Sequence, residues 1–93
     1  MHAKFCKFVF ADGISRSYVE NVIDQAVFLA GYAFGQDLAA RDSAFAVADD
    51  PPRCLIDVST NIGRYIAEGI AESFTRLRGE RSFEIYQVDK WKL

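Results

Sequence analysis

The residues best suited to chemistry gather in one stretch, "DVSTNIGR", Asp57 to Arg64. Ser59, Thr60 and Asn61 stand where an apolar run gives way to helical spacing. Free N–H groups at a helix start attract anions. Ser59, Thr60, Asn61 and Arg64, with Gly63 between them, therefore form a candidate anion-binding set. The same polar types are the preferred helix N-caps, and no phosphate-loop pattern accompanies them. Capping is the simpler role for the cluster.

Other reactive groups are sparse. His2 is the one histidine, and Cys6 and Cys54 are the two thiols. Together they lack a fourth good ligand and any usual zinc spacing. Asp49, Asp50 and Asp57 fall short of the six to eight oxygens that calcium takes. No metal or cofactor is expected. A nucleophile needs a base beside it; His2 stands at the terminus, and Cys6 and Cys54 are expected to be buried, where a thiol is inert. Tyr18, Tyr32, Tyr65 and Tyr86 read as packed rings with wet hydroxyls. Glu68 and Glu72 share a helix face, flanked by Arg64 and Arg76, as an ordinary charged surface does. The residues point away from an enzyme.

Composition narrows the partners. The chain has 93 residues, which suits one domain over 1–93. It carries 11 basic and 13 acidic residues for a net charge of −2, and nucleic-acid binding needs a basic face. Arg76, Arg78, Arg81, Lys90 and Lys92 do crowd one end, but Glu80, Glu84 and Asp89 dilute them. Two cysteines without a signal-like start point to reduced thiols and a cytoplasmic setting. Hydrophobic residues make up 51% of the chain. A small domain has little interior in which to hide them, so some apolar surface is expected at an interface. The most apolar run, "AVFLAGYAFG" from Ala26 to Gly35, is half the length of a bilayer span, so no membrane is expected.

These residues must be held by a small set of elements. "AKFCKFVFA", Ala3 to Ala11, reads as a buried strand, closed by Asp12 and Gly13. Ser17 and Glu20 match a capping box. Val19, Val22, Ile23, Ala26, Val27, Ala30, Ala33 and Phe34 then recur at helical spacing. The pattern can run to Arg41, and Gly35 marks a kink or an end. Gly31 and Gly35 are expected to allow close approach to the sheet or to the second helix. Residues 36–48 fit helix or strand, with "SAFAVA", Ser43 to Ala48, taken as a strand. "DDPP" turns into "RCLIDVS", Arg53 to Ser59, where Cys54, Ile56 and Val58 face one way and Arg53, Leu55 and Asp57 the other. A second helix starts near Thr60, with Ile62, Ile66, Ile70, Phe74 and Leu77 as its core stripe and Gly79 as its cap. "SFEIYQV", Ser82 to Val88, is the last strand. "DKWKL" extends that strand or lies across the domain.

The order strand, helix, strand, strand, helix, strand implies an α+β, ferredoxin-like βαββαβ sandwich. It has a four-stranded antiparallel sheet, both helices on one face, and the first and third strands central. Two activities of that architecture are not met by the residues. "RCLIDVS" lacks the aromatics of an RNA-recognition strand, and "ADGISRSY" lacks the acylphosphatase loop pattern. What remains is a small non-enzymatic protein-interaction module that binds a protein partner or a second copy. Such a module can inhibit a larger protein machine, as phage and plasmid counter-defence proteins of the anti-CRISPR kind do. Phe28, Leu29 and Tyr32, off the main stripe of the first helix, and Trp91 are its expected partner-binding residues. The alternative is a dimer that binds or transforms a small apolar molecule in a pocket lined by Phe5, Phe8, Phe10 and Phe45.

Overall fold

The computed structural model describes residues 4–93, so His2 and the expected strand start at Ala3 lie outside the described residues. Four strands form one antiparallel sheet: β1 (Phe5–Phe10), β2 (Phe45–Ala48), β3 (Arg53–Asp57) and β4 (Phe83–Val88). Their order across the sheet is β2-β3-β1-β4. Three helices accompany them: α1 (Arg16–Phe34), α2 (Gln36–Asp42) and α3 (Asn61–Arg78). The class is α+β, and β1 and β3 hold the centre as the sequence implies.

Strand parity decides the layers. Cys6, Phe8 and Phe10 alternate with half-buried Phe5, Lys7 and Val9 along β1. Phe8 lies opposite Cys54 and Cys6 opposite Ile56, so these four share one face. That face joins Val19, Val22, Ile23, Ala26 and Ala30 of α1 and Ile62, Ile66, Ile70 and Phe74 of α3 in a single apolar cluster. Phe74 anchors it. Its ring centroid lies 4.5 Å from Phe10, 5.5 Å from Tyr18 and 6.2 Å from Phe83. Fully burying a side chain of this size contributes roughly 1.5–3 kcal/mol.

Several local readings change. Ser15, not Ser17, caps α1: its hydroxyl accepts from Tyr18 N–H at 3.1 Å. Glu20 instead pairs with Arg16 at 2.9 Å. Ser17 is already inside the first turn, because Ser15 has the extended backbone that a cap needs. The long helical pattern breaks at Gly35, whose φ of +94° suits glycine. Residues 36–42 continue as α2 and the second strand begins at Phe45, two residues after the expected start at Ser43, so the ambiguous region is first helix and then a short strand. Gly31 and Gly35 serve this bend rather than an approach to the sheet. A Cβ on Gly31 would meet the Gln36 side chain at 2.7 Å. The close helix contact uses Gly69 of α3, whose Cβ position lies 3.6 Å from that of Ala26. Leu77 is exposed rather than part of the core stripe, because it lies in the last turn of α3, where residues 75–78 are all exposed past the last buried anchor, Phe74. No described helix is long and apolar enough to cross a membrane.

The tail lies across the domain. Trp91 stands edge-on to Phe5 with centroids 5.1 Å apart. Lys7 Nζ and Arg53 Nε both donate to the Leu93 carbonyl, at 2.9 and 3.0 Å. Phe5, Lys7 and Arg53 belong to the face away from the helices. The strap explains why Leu55, which shares that face, is fully buried.

Candidate functional site

The polar stretch at the start of α3 comes together as expected, but its groups serve one another. Thr60 Oγ1 accepts from Gly63 N–H at 2.9 Å and donates to the Asp42 carbonyl at 3.2 Å. Ser59 donates its N–H and its hydroxyl to Asp57 Oδ1, at 2.9 and 2.6 Å. Arg64 donates to the Val58 carbonyl at 3.1 Å and to Asn61 Oδ1. Gly63 is needed for the approach of this turn to β3, since a Cβ there would sit 1.7 Å from the Asp57 carbonyl. Ser59, Thr60, Asn61 and Arg64 border one shallow depression with Phe34, Leu38 and Arg41. Their hydrogen bonds do the work of capping and of tying α2 to α3.

Chemistry at the thiols is suppressed by their surroundings. Both cysteines are free and buried. Burial raises the Cys6 pKa. Burial first, and then the proximity of Cys6, pushes Cys54 up to about 12. The thiolate, which is the nucleophile, is therefore scarce near neutrality. Among the described residues no group of three or more His, Cys, Asp or Glu side chains is placed to hold a metal ion.

The expected partner residues fall into two places. Phe28, Leu29 and Tyr32 lie together on α1 at 59%, 53% and 77% exposure. The rings of Phe28 and Tyr32 meet edge to face at 5.3 Å. At 100° per residue Phe28 points almost directly away from the buried Val19–Ile23–Ala30 stripe. Neither α3 nor the sheet covers these side chains. Asp24, Gln25, Phe28 and Leu29 form a shallow depression there. Trp91 is not part of this patch: it belongs to the tail on the other side of the sheet. The C-terminal cations are likewise dispersed. Arg76 pairs with Glu72 at 3.8 Å, and Arg78 stacks over Tyr18 at 4.6 Å.

The four phenylalanines expected to line one pocket are also separated. Phe8 and Phe10 are core, Phe5 faces Trp91, and Phe45 sits on the edge strand β2. A groove missed by sequence reasoning lies between α3 and β4. It has a volume of about 540 Å³ and is lined by Cys6, Phe8, Ala67, Ala71, Ile85 and Gln87 among others. It exists because the small Ala67 and Ala71 face the sheet edge on that side of α3. The alternation of "SFEIYQV" was the signal available for it. Comparison of the chain with protein-family models, with curated proteins and with solved structures gives no match.

Proposed function

We propose that the chain is a small protein-interaction module of ferredoxin-like βαββαβ architecture that binds its partner through the outer face of α1. The strand order and the shared apolar cluster of α1 and α3 support that architecture, with α2 as an addition between the first helix and the second strand. The observation that carries the function is the exposed cluster of Phe28, Leu29 and Tyr32 on α1, with Phe28 and Tyr32 turned away from the buried stripe and Leu29 on its flank. Contiguous aromatic and aliphatic groups of this kind supply the anchors of protein interfaces. The chain brings no chemistry of its own to that surface. Inhibition of a larger protein machine in a reducing, cytoplasmic setting, as in phage or plasmid counter-defence of the anti-CRISPR kind, is the role we assign it. A photo-crosslinking residue at Tyr32 tests the reading. Crosslinks to one defined protein, abolished by Phe28→Ser with Leu29→Ser, are expected. Crosslinking that survives those substitutions would remove α1 as the site.

A second reading rests on the groove between α3 and β4. Its volume falls within the range of small-molecule sites, and Phe8, Ala67, Ala71 and Ile85 give it an apolar lining. On this reading it binds a small apolar molecule. A hydrophobic fluorescent dye should bind there and be displaced by Ala71→Phe, which fills the groove. Unchanged dye binding in that variant would discard the second reading.

A further inference from the structure

The two edges of the sheet are unlike. β2 has four residues and runs into the Asp49–Pro52 turn, where two prolines end pairing. β4 has six residues, no proline and no lysine. Its one charge is Glu84, and a sheet edge without proline or lysine invites a further strand.

The hydrogen-bond phase shows which groups of β4 are free. Ala11 N–H donates to the Ser82 carbonyl at 2.8 Å, and Phe10 N–H donates to the Pro52 carbonyl at 2.9 Å. Inward and outward groups alternate along an antiparallel strand. Phe5, Lys7 and Val9 therefore turn their main-chain groups to β4, while Cys6, Phe8 and Phe10 turn theirs to β3. In the β1–β4 register Glu84, Tyr86 and Val88 oppose Val9, Lys7 and Phe5. Their main-chain groups are consumed. Those of Phe83, Ile85 and Gln87 point outward from the sheet. Ile85 and Gln87 also line the groove, and Ile85 is 44% exposed and Tyr86 46%.

We infer that β4 pairs with β4 of a second copy of this chain, antiparallel about Ile85, to give one continuous eight-stranded sheet. Self-complementary cross-strand pairs single out this occupant and this register. With Ile85 of one copy facing Ile85 of the other, Phe83 faces Gln87 and Glu84 faces Tyr86. The Tyr86 hydroxyl already donates to Glu84 within one chain, so the hydroxyl and carboxylate suit each other across the two-fold axis. Sliding by one residue in each strand toward the start of β4 sets Glu84 against Glu84. Sliding the other way sets Glu84 against Val88 and parts its carboxylate from the hydroxyl. Neither alternative keeps these pairs. In the paired state the two grooves join into one cleft above the Ile85 pair.

This inference stands apart from the α1 patch, which it leaves exposed. Light scattering on the full chain across the micromolar range is expected to show a concentration-dependent rise to twice the 10.5 kDa chain mass. Gln87→Pro removes an outward N–H without touching the β1 ladder, and Ile85→Lys places a charge at the axis. Both are expected to be monomeric with unchanged circular dichroism. Tyr86→Glu, which sets a second carboxylate against Glu84 of the other copy, should weaken dimerisation about tenfold, because the contact occurs twice. Adding Glu84→Gln to it should restore most of the loss. Hydrogen exchange should protect the Ile85 and Gln87 amides at high concentration only. A monomer at every concentration overturns the inference. So does a dimer that survives Gln87→Pro and Ile85→Lys, or one lost on Phe28→Ser.

Discussion

The helices α1 and α3 are nearly equal in length, 19 and 18 residues, and each buries six residues. Their outer faces differ. On α3 the exposed side carries Arg64, Glu68, Glu72 and Arg76, Tyr65 turns its ring onto Phe34 at 5.5 Å, and Leu77 in the last turn stands alone as an exposed aliphatic side chain. On α1 the exposed side carries Phe28, Leu29 and Tyr32. Both helices pack against the same apolar cluster. Folding needs only their inner faces, so it does not explain what α1 displays to water. An ordinary amphipathic helix meets the structural need, as α3 demonstrates. The apolar exterior of α1 is surplus to the fold, and a binding partner is the physical use for it.

The inner faces should be equally indispensable. Phe74→Ala in α3 is expected to cost about 3–5 kcal/mol and Ile23→Ala in α1 about 2–5 kcal/mol, because both leave a cavity in the shared cluster. Denaturant unfolding measures both, and a tolerant Ile23 site would break the equivalence of the two helices. Gly63→Ala drives a methyl group into the Asp57 carbonyl. Strain of this kind costs about 1–3 kcal/mol, and the same measurement should place it at the upper end. Gly31→Ala in α1 meets only the movable Gln36 side chain and should cost less.

Beneath both helices lies Cys54. Its thiol is raised from its ordinary value of 9.0 to about 12 in the folded chain. The unfolded chain therefore loses this proton at lower pH than the folded chain does. Stability should fall as pH rises from about 9 towards 12, and Cys54→Ala should flatten that slope in urea melts. The helix caps come next. Ser15→Ala and Thr60→Ala should each cost about 1 kcal/mol. Thr60 should cost more of the two, because its hydroxyl also donates to the Asp42 carbonyl. Smallest of all should be the outer face of α1. Phe28→Ser and Leu29→Ser are expected to stay within about 0.5 kcal/mol of wild type. A larger loss would mean that these side chains support the fold after all.

Periodicity made the elements legible because burial imposes it. Ile62, Ile66, Ile70 and Phe74 recur at helical spacing since one side of α3 meets the sheet. Cys54 and Ile56 alternate with their neighbours since one side of β3 meets the helices. The capping site of α1 was misread because Ser15 and Ser17 are equivalent in type, and only backbone geometry distinguishes them. Leu77 fits the stripe of α3 by spacing, yet spacing does not tell where the sheet beneath it ends. The pocket of four phenylalanines failed for a related reason: residue type does not reveal which face of a strand each ring takes. The groove beside β4 left only the alternation of "SFEIYQV" as a signal, because an empty space is defined by what α3 fails to cover.

The sequence by itself determined the α+β class, the order of most elements, the central pair of strands and the surplus of apolar residues on α1. These follow from local periodicity and from the surface available to a short chain. Tertiary structure alone decided that the pattern past Gly35 becomes a separate short helix, that Leu55 is buried beneath the tail, and that Trp91 lies apart from the α1 patch. It also decided which main-chain groups of β4 remain free. Each of these depends on contacts between residues distant in the chain, which local spacing does not encode.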